Sequence, residues 1–251
     1  MAREEEHIPG VCRTPPKDSC RTGFPDRTLV LHAGTDRTEV GLLGAGGWSA
    51  FAASRGPTLE SLFPLLEEVS GKAGLRPGEV NGLAFNRGPG SVLGLRVVSM
   101  ALRTLRAAHA PGSELRFFGY SSMEVLAAAE LGRGRPCPFS LALPWKRGAW
   151  RVLRVADQVP PWGIETCGDG FWHTESGGEA LFLESRQSSA AGTGTMARLS
   201  DSIEELPSVL PGFPVLLRPM PDPDLFPDAP AAYRTWDRRR HSGALPKTAS
   251  P

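Results

Sequence analysis

Long apolar runs are missing from this sequence. No stretch approaches the roughly 18 uninterrupted apolar residues of a membrane span, so a membrane-embedded protein is not expected. The first residues, Met1-Ala2-Arg3-Glu4-Glu5-Glu6, are acidic and lack the apolar h-region of a secretory leader. Cysteine is scarce: Cys12, Cys20, Cys137 and Cys167 include no C-x-x-C pair, which suits neither a zinc site nor a disulfide framework. These absences together lead us to expect a cytoplasmic chain. A charge excess is missing too, with 28 Lys and Arg against 27 Asp and Glu. No global field therefore draws the chain to nucleic acid or to an anionic membrane, and any contact with RNA has to be local.

What is present is a core. Of 251 residues, 40% are hydrophobic, enough for one large domain or two modest ones. The 24 prolines and 29 glycines foretell loop-rich stretches near the start and in the last hundred residues. Residues 1–27 follow neither hydrophobic period and read as a tail. From Thr28, three short apolar or alternating runs (Thr28 to Ala33, Glu39 to Leu43, Trp48 to Ala53) separated by Gly-rich turns predict an antiparallel meander.

A helix follows from Thr58, its expected N-cap, with Leu59, Leu62, Phe63, Leu66 and Val69 on one face. Pro64 should bend it or delay its start, and Gly74-Leu75 with Pro77 should stop it. After a strand at Val80 to Phe85, a second helix runs from Ser91 to about His109. On a helical wheel Arg96, Ser99, Arg103 and Arg106 form one narrow polar stripe, while nearly everything else is apolar or small. Such a helix needs cover on two or three sides, from its own chain or from another. A strand (Arg116 to Gly119), an alanine-rich helix (Ser122 to Leu131) and two strands (Phe139 to Leu143, Ala149 to Val155) complete the legible part. Beyond Ala156 the patterns break, leaving a short helix near Ile203 to Leu210, a strand at Pro214 to Leu217, and a basic tail from Arg238.

The segment Asn86-Arg87-Gly88-Pro89-Gly90-Ser91-Val92-Leu93-Gly94-Leu95-Arg96 joins a strand to the second helix. Two glycines able to take positive φ flank a φ-locked proline, and Ser91 caps the helix, so the turn is tight. Its amides at a helix N-terminus leave a phosphate cradle as the second reading. In its context this stretch resembles the GRGPGSFTGLR signature of the bacterial TsaB family, also called YeaZ. The likeness extends to Leu62-Phe63-Pro64-Leu65-Leu66 upstream and to Gly119-Tyr120-Ser121-Ser122-Met123-Glu124-Val125-Leu126-Ala127 downstream. Lys146-Arg147-Gly148-Ala149-Trp150 stands where that family has an Arg-Gly-Glu-Val-Tyr hairpin, and the likeness covers about residues 28–155. Pro214 to Leu217 and Ala232-Tyr233-Arg234 echo the family's closing strands faintly.

The resemblance implies an α/β fold of the actin-like or Hsp70-like ATPase (ASKHA) type. Two lobes would each carry a mixed sheet with packed helices, residues 28–110 forming the first and residues 111–237 a reduced second, between tails at 1–27 and 238–251. It also implies a function. TsaB-like proteins serve as partner subunits of the TsaD transferase, which with the TsaE ATPase and a TsaC-type synthase installs threonylcarbamoyl on adenosine in tRNAs reading ANN codons. They pack against TsaD, or against themselves, through the two helices described above. Carried to this chain, the interface would use Leu59, Leu62, Phe63, Leu66, Val98, Leu102 and Leu105, and tRNA would be met only indirectly.

A catalytic role is not expected. In active members of the wider fold the first hairpin carries a carboxylate before Gly-Thr, where this chain has His32 before Ala33, Gly34 and Thr35. Imidazole is a poor ligand for magnesium, so this reads as a degenerate nucleotide hairpin. No cofactor is expected, with a nucleotide at a partner boundary left open. TsaD relatives bind metal through histidines four apart on a helix, and none of His7, His32, His109, His173 and His241 has such a neighbour. His32 reads more simply as a hydrogen-bonded strand-end residue, and Asp36 and Glu39 as solvated turn residues. Asp169, Glu175 and Glu179 near His173 form only a weak acid/base constellation. The alternatives are a degenerate nucleotide-binding enzyme, kinase, ATPase or glycoprotease-like, and a self-associating scaffold.

Overall fold

The computed structural model describes residues 24–34, 37–109, 114–146, 149–168, 179–183 and 198–221. The meander forms as expected, with β1 (Thr28–Ala33), β2 (Thr38–Gly44) and β3 (Gly47–Ser54) pairing antiparallel in sequence. Helix α1 (Thr58–Ala73) leads to β4 (Gly82–Asn86), and α2 (Val92–Ala108) to β5 (Arg116–Tyr120). Both of these strands lie parallel to their neighbours, so the sheet grows from β1 through β4 to β5. A short last strand, β11 (Arg218–Met220), closes that edge antiparallel to β5.

The second sheet repeats the plan. Strands β6 (Phe139–Lys146), β7 (Ala149–Val155) and β8 (Ile164–Gly168) form an antiparallel meander, and β9 (Glu179–Leu183) and β10 (Arg198–Leu199) add in parallel beside β6. The order β10-β9-β6-β7-β8 thus reproduces β5-β4-β1-β2-β3. The connections differ. In the first sheet residues 55–81 and 87–115 link the meander to its parallel strands through α1 and α2, whereas the second sheet makes the equivalent links with residues 169–178 and 184–197.

Side-chain alternation assigns the layers. Leu29, Leu31, Val40, Leu42, Leu83 and Phe85 point from one face of the first sheet onto α1 and α2. Val30, Ala84, Phe118 and Tyr120 point from the other face towards α3 (Ser122–Gly132), which Phe139, Leu141, Leu153 and Leu181 of the second sheet cover from beyond. Every residue from Ser122 to Leu131 is buried. A helix enclosed on both sides has no room for a single apolar stripe, which explains its alanine content. Helix α4 (Leu206–Val209) packs beside it.

Several expectations need correction. Pro57, not Thr58, is the N-cap of α1; Thr58 is its first residue and its hydroxyl bonds the Thr38 hydroxyl at 3.0 Å. Pro64 lies inside the helix without delaying its start. The end is as read: Gly74 is left-handed (φ 64°, ψ 27°) and Leu75 N–H donates to the Ser70 carbonyl. Pro214 to Leu216 form a 3-10 turn rather than a strand, since proline at the first position favours a helical start and withholds a ladder donor. The first sheet takes β5 and β11 from beyond residue 110, so a lobe boundary there cuts across it. The readings of residues 1–23 and of everything after residue 221 lie outside the described residues.

Candidate functional site

The strand-to-helix turn is stitched by its own side chains. Asn86 Oδ1 accepts from the Gly88 amide at 2.9 Å while its Nδ2 donates to the Pro89 carbonyl at 3.2 Å, and Arg87 N–H donates to the Tyr120 carbonyl. Of the two glycines only Gly88 has positive φ, at 115°. Gly90 is required for a different reason: a Cβ there would lie 2.5 Å from the Ala33 carbonyl oxygen. Ser91 caps α2 by accepting from the Gly94 amide, and a Cβ on Gly94 would lie 2.9 Å from Thr58 Oγ1. The turn therefore clamps the end of β1, the start of α1 and the start of α2 together. Pro89 and Leu95 are buried, while Arg87 and Arg96 are exposed. This arrangement favours the tight-turn reading over the phosphate cradle.

That clamp sets the N-terminal halves of α1 and α2 side by side. Most of the residues expected at an interface face inward: Leu62, Leu66, Val98 and Leu102 are buried in the chain's own core, and Leu105 packs against it half-buried. They are corrections, because sheet and helix spacing place them on the arc that meets β1, β2 and β4. The surplus apolar surface lies one step round each helix. Leu59 and Phe63 on α1 are 63% and 50% exposed, and Val92, Leu93 and Met100 on α2 are 50%, 65% and 69% exposed. Arg96 and Arg103 share the outer arc of α2, Ser99 faces the core, and the Arg106 guanidinium lies 5.8 Å from the Phe117 ring centre. Of the expected interface set, Leu59 and Phe63 are outward. Val92, Leu93 and Met100 escape the sequence reading because the wheel shows apolar residues nearly all round α2 and gives no direction for the sheet.

The first hairpin carries a buried polar cluster. His32, fully buried, places Nδ1 3.3 Å from the Tyr120 hydroxyl, which also lies 3.2 Å from the Leu31 carbonyl. A hydroxyl has one proton, so when Tyr120 donates to Leu31, His32 Nδ1 must be the donor to Tyr120. Nε2 faces the buried Asp201 carboxylate at 3.6 Å, an ion-pair distance longer than a hydrogen bond. Burial, and after it the charges of Glu39 and Asp201, hold the Tyr120 phenol well above its ordinary pKa. Glu39 is also buried, correcting the solvated-turn reading. It forms an ion pair with Arg37 Nε at 2.9 Å and accepts hydrogen bonds from the Ser202 hydroxyl at 2.7 Å and the Ile203 amide at 2.7 Å. Residues 200–203 thus seat directly on the hairpin. At Gly34 even a methyl group would meet His32 Nε2 at 2.7 Å and Asp201 Oδ2 at 2.9 Å. The space beside Gly34 is filled by the chain's own side chains. Asp201 and Tyr120 carry no local signal, since they come from distant parts of the sequence. Thr35 and Asp36 lie outside the described residues, as do Asp169, His173 and Glu175.

A cavity of about 200 Å³ opens beside this cluster, between Arg37, Ser200, Ser202 and the Arg133 end of α3. Arg133 is held there by Glu130 and Glu205. Among the described residues no group of three or more His, Cys, Asp or Glu could hold a metal ion, and no described helix is long and apolar enough to cross a membrane.

Residues 54–143 match the family of TsaD, tRNA N6-adenosine threonylcarbamoyltransferase. No curated protein matches the sequence. Among solved structures, YeaZ from Pseudomonas aeruginosa is 19% identical with a TM-score of 0.47, the match covering 56% of this chain and 65% of that one. This chain therefore spans 65% of the length of that structure. An uncharacterised protein with similarity to the peptidase YeaZ from Pseudomonas aeruginosa is 17% identical at a TM-score of 0.50, covering 62% of this chain and 74% of that one. The ROK hexokinase from Thermus thermophilus is 16% identical at 0.32, covering 52% and 46%. The fold is the actin-like (ASKHA) α/β type, consistent with the repeated strand order above. Residues 54–143 thus resemble the TsaD family, and the chain shares the fold of the YeaZ-like structure.

Proposed function

We propose that this chain is a non-catalytic assembly subunit in the formation of N6-threonylcarbamoyladenosine in tRNA, docking through α1 and α2 onto a TsaD-type transferase. The observation that carries the reading is the group of five large apolar side chains, Leu59, Phe63, Val92, Leu93 and Met100, left exposed on two helices that the Gly94–Thr58 contact holds together. Isolated exposed hydrophobes are ordinary, whereas their concentration on two adjoining helices supports an interaction surface. Covering each fully is worth up to about 1.5–3 kcal/mol, less in proportion to what is already buried and before the costs of association. Arg96 and Arg103 would lie at the rim of that contact.

The filled hairpin supports a subunit without nucleotide chemistry of its own, since His32 and Asp201 occupy the position over Gly34. A nucleotide at the boundary with the transferase, a TsaE-type ATPase joining the complex, and a homodimer through the same helices are finer versions of this proposal. Mass measurement of the complex co-purified with the protein distinguishes them. The pathway itself is tested by depleting the protein and measuring nucleosides from total tRNA. Threonylcarbamoyladenosine should fall, and an unchanged level would reject the reading.

A further inference from the structure

We infer that His32 is a proton-operated joint between the two sheets: on taking up a second ring proton it grips Asp201 and tightens the seat of residues 200–204 on the first sheet. His32 stands near the end of β1, and Asp201 lies two residues past β10 of the second sheet. Both are fully buried, so the attraction between them is only weakly screened. The groups that face the imidazole come from four places. Glu39 lies directly across the strand pair on β2, and Arg37, just before β2, pairs with it. Tyr120 comes from β5 and Asp201 from the segment after β10. With the ring neutral, two carboxylates oppose Arg37 alone and the cluster keeps one negative charge. With a second ring proton, two carboxylates meet two cations. An uncompensated buried charge is costly, and the proton relieves that cost.

Hydrogen bonding provides the two positions of the joint. The Tyr120 hydroxyl reaches both His32 Nδ1, at 3.3 Å, and the Leu31 carbonyl, at 3.2 Å, with one proton to give. When it donates to Nδ1, the ring is neutral and its own proton sits on Nε2, facing Asp201. When Nδ1 gains a proton, Nδ1 becomes the donor and the Tyr120 hydroxyl turns to the Leu31 carbonyl. Both arrangements keep Nε2–H towards Asp201 at 3.6 Å, and only the second makes that contact an ion pair. The neighbours of Asp201 spread the effect. Ser200 Oγ accepts from Arg37 at 3.2 Å, Ser202 and Ile203 donate to Glu39, and the Glu204 carbonyl accepts the Trp48 indole N–H at 2.8 Å. A stronger pull on Asp201 therefore tightens a run of contacts from the second sheet to β1, β2 and β3.

The joint involves neither α1 nor α2, so it stands independently of the docking proposal. The test follows the His32 ring and the Ile203 amide of the isotope-labelled full-length protein by NMR between about pH 5 and 8, where imidazole charge changes. As pH falls, His32 should take up its proton. Protection of the Ile203 amide from exchange, corrected for the intrinsic rate, should rise about tenfold along the same curve. Asp201→Asn should leave His32 able to change its charge while flattening the Ile203 response, and His32→Gln should flatten that response as well. If circular dichroism shows one variant unfolded, the other carries the comparison. A His32 ring that keeps one protonation state across the range overturns the inference. So does a wild-type ring that changes state while Ile203 protection stays constant, or a wild-type Ile203 response in either folded variant.

Discussion

The first sheet carries two long helices on its outer face, whereas the second repeats the same strand order with connecting residues, 169–178 and 184–197, that lie outside the described residues. On the first sheet, Leu62, Leu66, Val98 and Leu102 join a large continuous cluster. On the outer face of the second, Ala142, Val152 and Cys167 form the buried group among the described residues, with Trp150 packed against it. The cladding also brings surplus surface: the helices that cover the first sheet are those that leave Leu93 and Met100 outside.

The largest difference should come from truncating the two cores. Leu102→Ala should lower unfolding free energy by about 2–5 kcal/mol, and Val152→Ala by about 1–2 kcal/mol, both read from urea denaturation. Equal losses would mean that the second sheet is as deeply packed as the first. Next comes the joint between the sheets. Glu39→Ala removes the ion-pair partner of Arg37 and the buried acceptor of Ser202 and the Ile203 amide and should cost about 3 kcal/mol. A loss within experimental error would show that residues 200–203 do not depend on the hairpin for their seat.

Tyr120→Phe should cost about 1 kcal/mol at neutral pH. Because burial raises the phenol's pKa in the folded state above 10.0, the folded protein keeps the proton that the unfolded chain releases. That contribution is intact below the unfolded pKa and falls as pH rises from there through the folded value. The wild type should therefore lose stability in this alkaline window, and the Phe variant should lose less. The smallest effect has the opposite sign. Gly71 lies inside α1, where an added Cβ would meet nothing within 4 Å, so Gly71→Ala should stabilise by about 0.5–1 kcal/mol.

The contrast between the sheets also governs what can be read from the sequence. Strands β1 and β2, buried on both faces, read as short apolar runs bounded by glycine-rich turns, α1 carries a one-sided period, and Gly74 and Ser91 act as read. The strand Ile164–Gly168 carries Glu165 and Thr166 and shows neither pattern, so it is not visible in the sequence. Glu39 misleads because local pattern marks a turn-flanking carboxylate as solvated, while its partners Ser202 and Ile203 lie 163 and 164 residues away. The expected interface residues are displaced for a related reason. A helical wheel finds an apolar surplus on α2 but contains nothing that orients it, and the contact of Gly94 with Ala33 and Thr58 supplies that orientation.

The decisive experiment is therefore a pair of substitutions on that outward arc, Leu93→Glu with Met100→Glu, compared with wild type for co-purification with the TsaD-type transferase of the same organism. Both side chains are more than half exposed, so the melting temperature should stay within a few degrees of wild type. If the arc is the docking surface, the variant elutes alone where the wild type elutes as a complex. A folded variant that binds the transferase as tightly as wild type would refute docking through α1 and α2.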